Sequence, residues 1–501
     1  MIKEHLIKLK NEYNYYIIDN NIDKSFLNEK YFGLFLKIID LFSKNPWTLQ
    51  EDIFKISKIL DKKNLIILNE IIRNSSMAQK LILKVGVGKK YWNTITPFAK
   101  TTEKTLTNSY AFPQRIALFP GVSCMFYCGF CGRDQSQKYP MSILEDSQKT
   151  FENLFSQIPN TTALSISGGL EPLTNSRIGK IISSAKSNNI KVPLITNGFS
   201  LSENFLKKNP GIWELDSLRI SLYGVDKKSY EFITRVGKSY EIVKKNTISF
   251  LKLRNKINKN LKFGFNFIII PENIDQLNGV ITLINEINQN VDNGEGVNFL
   301  TLRDDYQSVT GNEIEFDENR KYRLESKMNH NLRKLLIDKL AEFEINKKKM
   351  CPNLYVDYGY SLEALSNNIF DKELVKVSHK NMRNFGFTQM SVAIDLYGDV
   401  FIFREAGFLN RSGNKKFIIG RISKDKDLEE VIKDFLKKNK PINYDFQDER
   451  FMDSFDHVLT SLVNQAEYDK NFGIPFEQGP VLDRLKINKI KLGNNWYSEN
   501  N

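Results

Sequence analysis

The sequence contains only four cysteines among its 501 residues, and three of them fall between positions 124 and 131. A secreted protein stabilised by disulfides distributes its cysteines in pairs along a short chain, so this usage excludes a disulfide framework. The grouped cysteines indicate a metal site that is kept reduced inside the cell. The fourth cysteine, Cys351, stands far from the others along the chain.

Long apolar runs are also missing. No stretch approaches the roughly 18 uncharged apolar residues that a membrane helix requires. Residues 1–6 include an acid, and no apolar core with a small-residue cleavage site follows as in a signal peptide. We therefore expect no membrane span and a cytoplasmic location.

The net charge of +13 comes from 72 basic and 59 acidic residues. The basic residues are scattered, and the chain lacks a dense block of arginines and aromatic residues of the kind that reads DNA or RNA. We attribute the charge mainly to composition and expect no nucleic-acid partner. A phosphorylated small-molecule substrate is compatible with the charge.

The length predicts two or three structural units. Residues 1–105 are predicted to form a helical N-terminal extension, since apolar residues recur there at helical spacing, as in Phe35, Ile38, Ile39 and Phe42. Residues 346–501 are predicted to form a C-terminal α+β region. It would contain a hairpin of strands 391–396 and 400–403, followed by further helix.

The central residues, 106–345, alternate short apolar runs with amphipathic helical stretches. Runs that are apolar throughout predict parallel strands buried on both faces. The expected fold is therefore α/β, a partial (β/α)6 TIM-like barrel whose chemistry lies on the loops after the strands. The six predicted strands are 116–119, 164–167, 192–196, 218–222, 263–270 and 297–302.

The strongest functional signal is the loop that carries Cys124, Cys128 and Cys131, directly after the first predicted strand. Thiolates at these spacings can bind three corners of a [4Fe–4S] cluster and leave the fourth iron open for a substrate's amine and carboxylate. A structural zinc site needs four ligands, and every histidine is remote in sequence. Zinc, or three unrelated buried cysteines, are the alternatives.

This spacing resembles the signature of the radical S-adenosylmethionine (SAM) superfamily. The resemblance implies that the chain binds a [4Fe–4S] cluster and SAM. It extends to an aromatic residue before the last cysteine, to a glycine–glycine–glutamate motif with one residue inserted, and to the ends of the next two strands and the helix beyond. The implied cofactor-binding residues are Phe130, Gly168, Gly169, Glu171, Asn197, Ser221 and Arg235.

Residues 92–469 resemble more closely the radical ammonia-lyases that act on TDP-4-amino-4,6-dideoxy sugars in deoxysugar biosynthesis. Distinctive segments include 302–306, 357–360, 404–408 and 451–456. The resemblance implies a 5′-deoxyadenosyl radical that deaminates a TDP-linked amino sugar to a 3-keto-4,6-dideoxy sugar. It also implies a reducing partner such as flavodoxin or ferredoxin. Tyr127 and Gly129 depart from the pattern that we expect in the cysteine loop.

Loss of the amine requires an acid–base group close to the sugar. The distinctive segments supply Glu405, Asp304 and Tyr358 as catalytic candidates, with Asp305 beside them. They also supply Arg303 and Arg404 as partners for the diphosphate, since guanidinium groups match phosphate oxygens. Tyr223, after the fourth strand, is the third predicted substrate contact. Surface ion pairing is the alternative for the charged candidates.

We expect one cluster only. Arg404 stands where a ligand of an auxiliary cluster would be expected after the hairpin, and Cys351 alone cannot bind a second cubane. Two other functions remain open. One is a radical dehydrogenase or epimerase acting on another amino sugar or an aminocyclitol. The other is a non-catalytic iron–sulfur sensor or RNA-binding protein.

Overall fold

The computed structural model describes residues 3–84, 95, 98–128, 130–133, 137–291, 295–304, 330–359 and 377–480. The described N-terminal residues are helical. Its helices begin where side chains cap them: Asn28 accepts from the amide of Lys30, and Asp61 accepts from the amide of Asn64 at 2.6 Å. The helices are Lys3–Asp19, Glu29–Lys44, Gln50–Phe54, Lys62–Asn74 and Ser76–Lys84.

The described residues contain ten strands that pair in one sheet. The strands are β1 Arg115–Leu118, β2 Ala163–Ile166, β3 Pro193–Thr196, β4 Ser217–Leu222, β5 Lys262–Ile269, β6 Phe299–Asp304, β7 Tyr355–Tyr358, β8 Ser391–Ile394, β9 Asp399–Phe401 and β10 Ile418–Arg421. Their order across the sheet is β10-β9-β8-β1-β2-β3-β4-β5-β6-β7. The pairs from β8 across to β7 are parallel, and the pairs β8–β9 and β9–β10 are antiparallel. The predicted α/β class and open barrel are confirmed.

The sheet contains more parallel strands than the six that we predicted. β7 pairs with β6, and β8, the first strand of the predicted hairpin, pairs in parallel with β1. Strands after residue 346 therefore extend the central sheet at both ends. A strand's sequence does not say which exposed edge it will join, so this pairing was not predictable. The division into units 1–105, 106–345 and 346–501 stays a prediction.

Helices connect the strands and cover one face of the sheet. Their apolar sides are buried, as for Ile181 and Ile281. No helix among the described residues is long and apolar enough to cross a membrane. The helices are Ala99–Leu106, Leu144–Gln157, Ile178–Ser187, Glu203–Lys208, Lys227–Thr234, Ser239–Ile257, Leu277–Gln289, His330–Met350, Leu428–Lys438 and Ser454–Phe472.

The two faces of the parallel strands differ in chemistry because successive side chains point to opposite sides. On the face covered by helices, one row across four strands consists of Leu222, Phe267, Leu302 and Tyr358. On the opposite, inner face, the row one residue earlier consists of Ser221, Asn266, Thr301 and Asp357. We call these four residues the polar row.

The helix Ser454–Phe472 attaches the N-terminal helices to the rest of the chain. Asp469 accepts a hydrogen bond from the amide of Gln50 at 2.8 Å, and Gln465 donates to the carbonyls of Pro46 and Thr48 at 3.0 Å each. Burial raises the pKa of Asp469 to about 7. The N-terminal extension thus depends on polar contacts from the far end of the chain.

Candidate active site

The three cysteines lie on the loop that follows β1, at the carboxyl end of the parallel strands. Cys128 is buried, and Cys124 and Cys131 are partly buried. Burial raises the pKa of Cys124 to about 11, although the Arg133 guanidinium opposes this. Burial also raises the pKa of Cys128 well above its usual range, and the thiolates of Cys131 and Cys124 add to the effect. All three sulfur atoms are therefore close enough to interact electrostatically.

Hydrogen bonds attach this loop to the segment after β2. Thr174 Oγ1 accepts from the amide of Ser123 at 3.1 Å, and Asn175 Nδ2 donates to the carbonyl of Pro120 at 2.8 Å. The amide of Glu171 donates to the carbonyl of Ser123 at 2.9 Å. The cysteine loop and the loop that carries the predicted SAM-binding residues therefore hold each other in position.

Gly168 and Gly169 form a left-handed turn after β2. Their φ angles are 72° and 59°, a region that strongly favours glycine. A Cβ atom on Gly168 would stand 2.6 Å from Phe119 Cε1. The turn therefore requires glycine for both conformation and space, and it presents backbone rather than side chain next to the cysteine loop.

Glu171 connects the loops after β2 and β3. Its carboxylate accepts from the amide of Leu173 at 3.0 Å, from the Thr196 hydroxyl, and from the amide of Asn197 at 2.7 Å. Burial raises the pKa of Glu171, and these three hydrogen bonds partly offset the rise. The predicted direct contact with SAM therefore competes with three bonds inside the chain, and positioning is the role that this geometry supports.

Asn197 is the residue that Glu171 positions. Its side-chain Nδ2 lies 3.8 Å from Cys124 Sγ and 3.1 Å from Met125 Sδ, and its Oδ1 accepts from the amide of Phe199 at 3.0 Å. This predicted cofactor-binding residue thus faces the cysteine loop directly.

An aromatic cluster packs beneath the same loop. The ring of Tyr223 lies 5.8 Å from that of Phe130 and 5.9 Å from that of Phe126. Burial raises the pKa of Tyr223 well above its usual range. Phe130 lies beside the cysteines, and its predicted contact with SAM stays a prediction. Tyr223 packs among rings there, which counts against its predicted contact with the sugar.

Two other predicted cofactor-binding residues differ in how far they are buried. Ser221 is partly buried in the polar row. Arg235 is exposed at the end of the helix Lys227–Thr234, with a left-handed φ of 57°. That helix end contacts the cysteine loop, because the amide of Tyr127 donates to the carbonyl of Thr234 at 2.9 Å. Arg235 is therefore near the loop but on the outer surface.

Buried charges gather around Asp453, the N-cap of the helix Ser454–Phe472. Arg404 Nη1 is 3.2 Å from Asp453 Oδ2, and its Nη2 donates to the Ser167 hydroxyl at 3.0 Å. Burial alone would raise the pKa of Asp453, but Arg115, Arg404 and Arg303 lower it. We call these three arginines and Asp453 the arginine cluster. It joins the predicted substrate residues Arg303 and Arg404.

Asp456 completes the buried group. Burial raises its pKa well above the usual range, and the negative charge of Asp453 adds to the effect. Its Oδ2 accepts from the amides of Arg404 and Asp453 at 3.0 and 3.1 Å. The arginine cluster and Asp456 together contain three guanidinium groups and two carboxyl groups, so positive charge is in excess whether or not Asp456 carries a proton, and this suits an anionic ligand.

Glu405 lies beside the cysteine loop. Its Oε2 is 3.1 Å from Arg411 Nη1, and the same oxygen would be 2.8 Å from a Cβ atom on Gly132, the residue after Cys131. The predicted catalytic candidate is thus close to the cysteine loop. Its ion pair with Arg411 fixes the position of the carboxylate there.

The structure places Tyr358 away from the inner face. Its hydroxyl donates to Glu344 on the helix His330–Met350, and its neighbours in register are Leu302 and Phe267. This position counts against the predicted catalytic role. Asp304 ends β6 opposite Ile269, and the structure does not describe its side chain. Asp305 lies outside the described residues.

Sequence reasoning missed the residues of the polar row other than Ser221. Asp357, next to the predicted Tyr358, is buried on the inner face. Asn266 is also buried, and its Oδ1 has no hydrogen-bond partner among the described residues. Strict alternation along β5, β6 and β7 was the signal that could have revealed them, since it places these polar side chains on one face.

Comparison with known proteins identifies the family. The model of the radical SAM superfamily matches residues 118–284, from the end of β1 to the helix Leu277–Gln289. The dTDP-4-amino-4,6-dideoxy-D-glucose ammonia-lyase of Streptomyces venezuelae is 33% identical over 394 residues, which cover 77% of this chain and 78% of that protein. The chain belongs to the radical SAM superfamily. It is therefore an enzyme that uses a [4Fe–4S] cluster and SAM.

Two other similarities are weaker. The 7,8-dihydro-6-hydroxymethylpterin dimethyltransferase of Methanocaldococcus jannaschii is 28% identical over 187 residues, 35% of this chain and 34% of that protein. The crystal structure of Streptococcus suis SuiB bound to precursor peptide SuiA is 16% identical. The structural match covers 71% of this chain and 70% of the SuiB chain, with a TM-score of 0.43.

The residues present suit the superfamily's cluster. Three thiols lie on one short loop and interact electrostatically, as ligands of three corners of one cluster must. No three histidine, cysteine or carboxylate side chains among the described residues converge as they would around a single metal ion. A cubane spreads its thiolates over three separate iron atoms and does not require that convergence.

Proposed function

We propose that this radical SAM enzyme is an ammonia-lyase that converts a TDP-linked 4-amino-4,6-dideoxy sugar to a 3-keto-4,6-dideoxy sugar. The observation that carries the proposal is the arginine cluster, because Arg404, held by Asp453 and Ser167, and Arg303, at the carboxyl end of β6, supply positive charge beside the sheet. The 33% identity to the ammonia-lyase of Streptomyces venezuelae supports the same reaction.

Cys124, Cys128 and Cys131 would hold the cluster in this proposal, and Gly168, Gly169 and Asn197 would contact SAM. The bound cluster supplies the electron that cleaves SAM and yields a 5′-deoxyadenosyl radical. Glu171 would act indirectly, because its carboxylate fixes Asn197 next to Cys124.

The arginine cluster would bind the diphosphate. Guanidinium groups form paired hydrogen bonds with phosphate oxygens, and these bonds are strongest where water is excluded. Arg404 is held by Asp453, and Arg303 lies at the carboxyl end of β6, on the same face as the polar row. The sugar would then extend from the arginines across the polar row.

Asp357 and Glu405 would supply the acid–base chemistry. The reaction removes a hydrogen atom from C3, after which the C3 hydroxyl loses its proton and the C4–N bond breaks to release ammonia. One electron and one proton then convert the remaining radical to the 3-keto product. Asp357 replaces Tyr358 as a candidate because it faces the inner side of the sheet.

We propose a flavodoxin or a ferredoxin as the source of these electrons, and the cytoplasm as the location. The cysteine usage supports the location, since three of the four cysteines are grouped as in a reduced metal site rather than spread in disulfide pairs. No nucleic-acid partner is required by the reaction.

The proposal is tested with enzyme that has been reconstituted anaerobically, reduced with dithionite and supplied with SAM and TDP-4-amino-4,6-dideoxy-D-glucose. We expect 5′-deoxyadenosine, ammonia and a TDP-3-keto-4,6-dideoxy sugar, identified by mass spectrometry. C128A, which lacks one cluster ligand, is the control for products that arise without the cluster.

Two results would contradict this function. A product that keeps its nitrogen would identify a dehydrogenase or an epimerase instead. An intact cluster that yields no 5′-deoxyadenosine under any reducing condition would favour a sensor.

A further inference from the structure

Arg133 is a buried cation at the end of the cysteine loop. It follows Cys131 by two residues, and only 3% of its surface is exposed. Its Nη2 donates a hydrogen bond back across the loop to the carbonyl of Phe126. Phe126 is itself buried among Phe199, Tyr223 and Tyr230. The guanidinium is therefore held at a fixed place within the loop.

The bond to Phe126 places the guanidinium in the middle of the cysteine loop. The Phe126 carbonyl lies two residues after Cys124 and two residues before Cys128, and Arg133 itself lies two residues after Cys131. The guanidinium therefore attracts all three thiolates from this one position. One permanent positive charge thus lies within reach of the entire thiolate set, and arginine keeps that charge at any physiological pH.

We propose that Arg133 is the internal counter-charge of the cluster and raises its reduction potential. The proposal rests on the proposed binding of the cluster by the three cysteines. Reduction adds one negative charge to a group that already carries three thiolates. A cation in a buried, low-dielectric place stabilises the reduced form more than the oxidised form. Removal of that cation should therefore make the cluster harder to reduce.

Arginine suits this role better than lysine. A guanidinium has five donors in a fixed plane, so one N–H can hold the Phe126 carbonyl while the delocalised charge faces the sulfur atoms. A lysine ammonium retains the charge but cannot make both interactions with the same geometry.

The test compares R133Q and R133K with the wild type. Iron per chain is measured after anaerobic reconstitution, and the midpoint potential of the cluster is measured by an EPR-monitored titration without SAM. We expect R133Q to hold iron and to shift the reduction equilibrium about tenfold towards the oxidised form, or 59 mV for one electron. R133K should fall between R133Q and the wild type.

K149Q is the matched control, because it removes one positive charge from an exposed position on the helix Leu144–Gln157. Its potential should equal that of the wild type. The proposal is overturned if R133Q keeps the wild-type potential, or if K149Q shifts the potential as much as R133Q does.

If R133Q binds no iron, R133K becomes the variant that tests the proposal. Because lysine keeps the charge, R133K must then recover iron binding. An R133K chain that is folded by circular dichroism and still binds no iron would show that the shape of the side chain matters rather than its charge, and would overturn the proposal. The potential is independent of the sugar, so these results do not depend on which substrate the enzyme uses.

Discussion

The carboxylate of Glu171 accepts a hydrogen bond from the backbone amide of Asn197 at 2.7 Å. This bond joins the loops after β2 and β3, and it directs the Asn197 side chain towards Cys124. Two loops that are predicted to bind SAM are therefore held in a fixed relative position, although Glu171 and Asn197 are 26 positions apart in the chain.

We expect E171Q to bind SAM about tenfold more weakly. The glutamine amide keeps one acceptor oxygen, so one of the present hydrogen bonds is lost and Asn197 is less well fixed; the loss of one such bond in a buried site is worth roughly 1–3 kcal/mol. Calorimetry on the reconstituted enzyme measures the affinity, and iron analysis should show an unchanged cluster. E145Q, at an exposed carboxylate, is the control. Wild-type affinity in E171Q would refute the positioning role.

Arg303→Gln and Arg404→Gln should each raise KM for the nucleotide sugar at least tenfold. Both changes reduce the positive charge of the arginine cluster, which the proposed function assigns to the diphosphate. Cleavage of SAM in the absence of sugar should remain at the wild-type rate. R177Q removes a partly exposed arginine that pairs with Glu145 and serves as the control. Unchanged KM values would show that the diphosphate binds at another site.

The adjacent residues Asp357 and Tyr358 allow a matched comparison, because they point to opposite faces of β7. D357N should lower kcat at least 100-fold if Asp357 is an acid–base group, with iron content unchanged. Y358F should keep kcat and lose about 1 kcal/mol of stability, since it removes the hydrogen bond to Glu344. Product formation and urea denaturation distinguish the two effects. A large loss of kcat in Y358F alone would restore the role predicted from the sequence.

The buried Asp469 should make stability depend on pH. Its pKa of about 7 stands above the ordinary value of 3.8, so the folded chain binds the proton more tightly than the unfolded chain does. The contribution of Asp469 to stability is therefore complete below about pH 4 and is lost as the pH rises through 7. D469N carries no charge at any pH, and its free energy of unfolding should improve relative to the wild type between pH 5 and pH 8.

Urea denaturation of the reconstituted enzyme at several pH values checks this expectation. D425N, at an exposed carboxylate, should follow the pH profile of the wild type. Parallel profiles for D469N and the wild type would mean that Asp469 ionises as readily in the folded chain as in the unfolded one.

The sequence alone was sufficient for the features that depend on neighbouring residues. The spacing of Cys124, Cys128 and Cys131 predicted a loop that can bind a cluster, because thiolates that bind one cubane from a short loop must lie close in sequence. Short, mainly apolar runs identified the parallel strands, because a strand of a parallel sheet buries most of its side chains whichever face they point to. The positive φ of Gly168 and Gly169 likewise agrees with the turn that two glycines after a strand indicate.

Only the tertiary structure decided which distant residues meet. Arg115, Arg303, Arg404 and Asp453 come from separate parts of the chain, and nothing in their local sequence indicates that they form one group. The pairing of β8 with β1, which brings Arg404 towards Ser167, depends on the edge that β1 leaves exposed. The choice between Asp357 and Tyr358 depended on strand register, because a shift of one residue exchanges the two faces of a sheet.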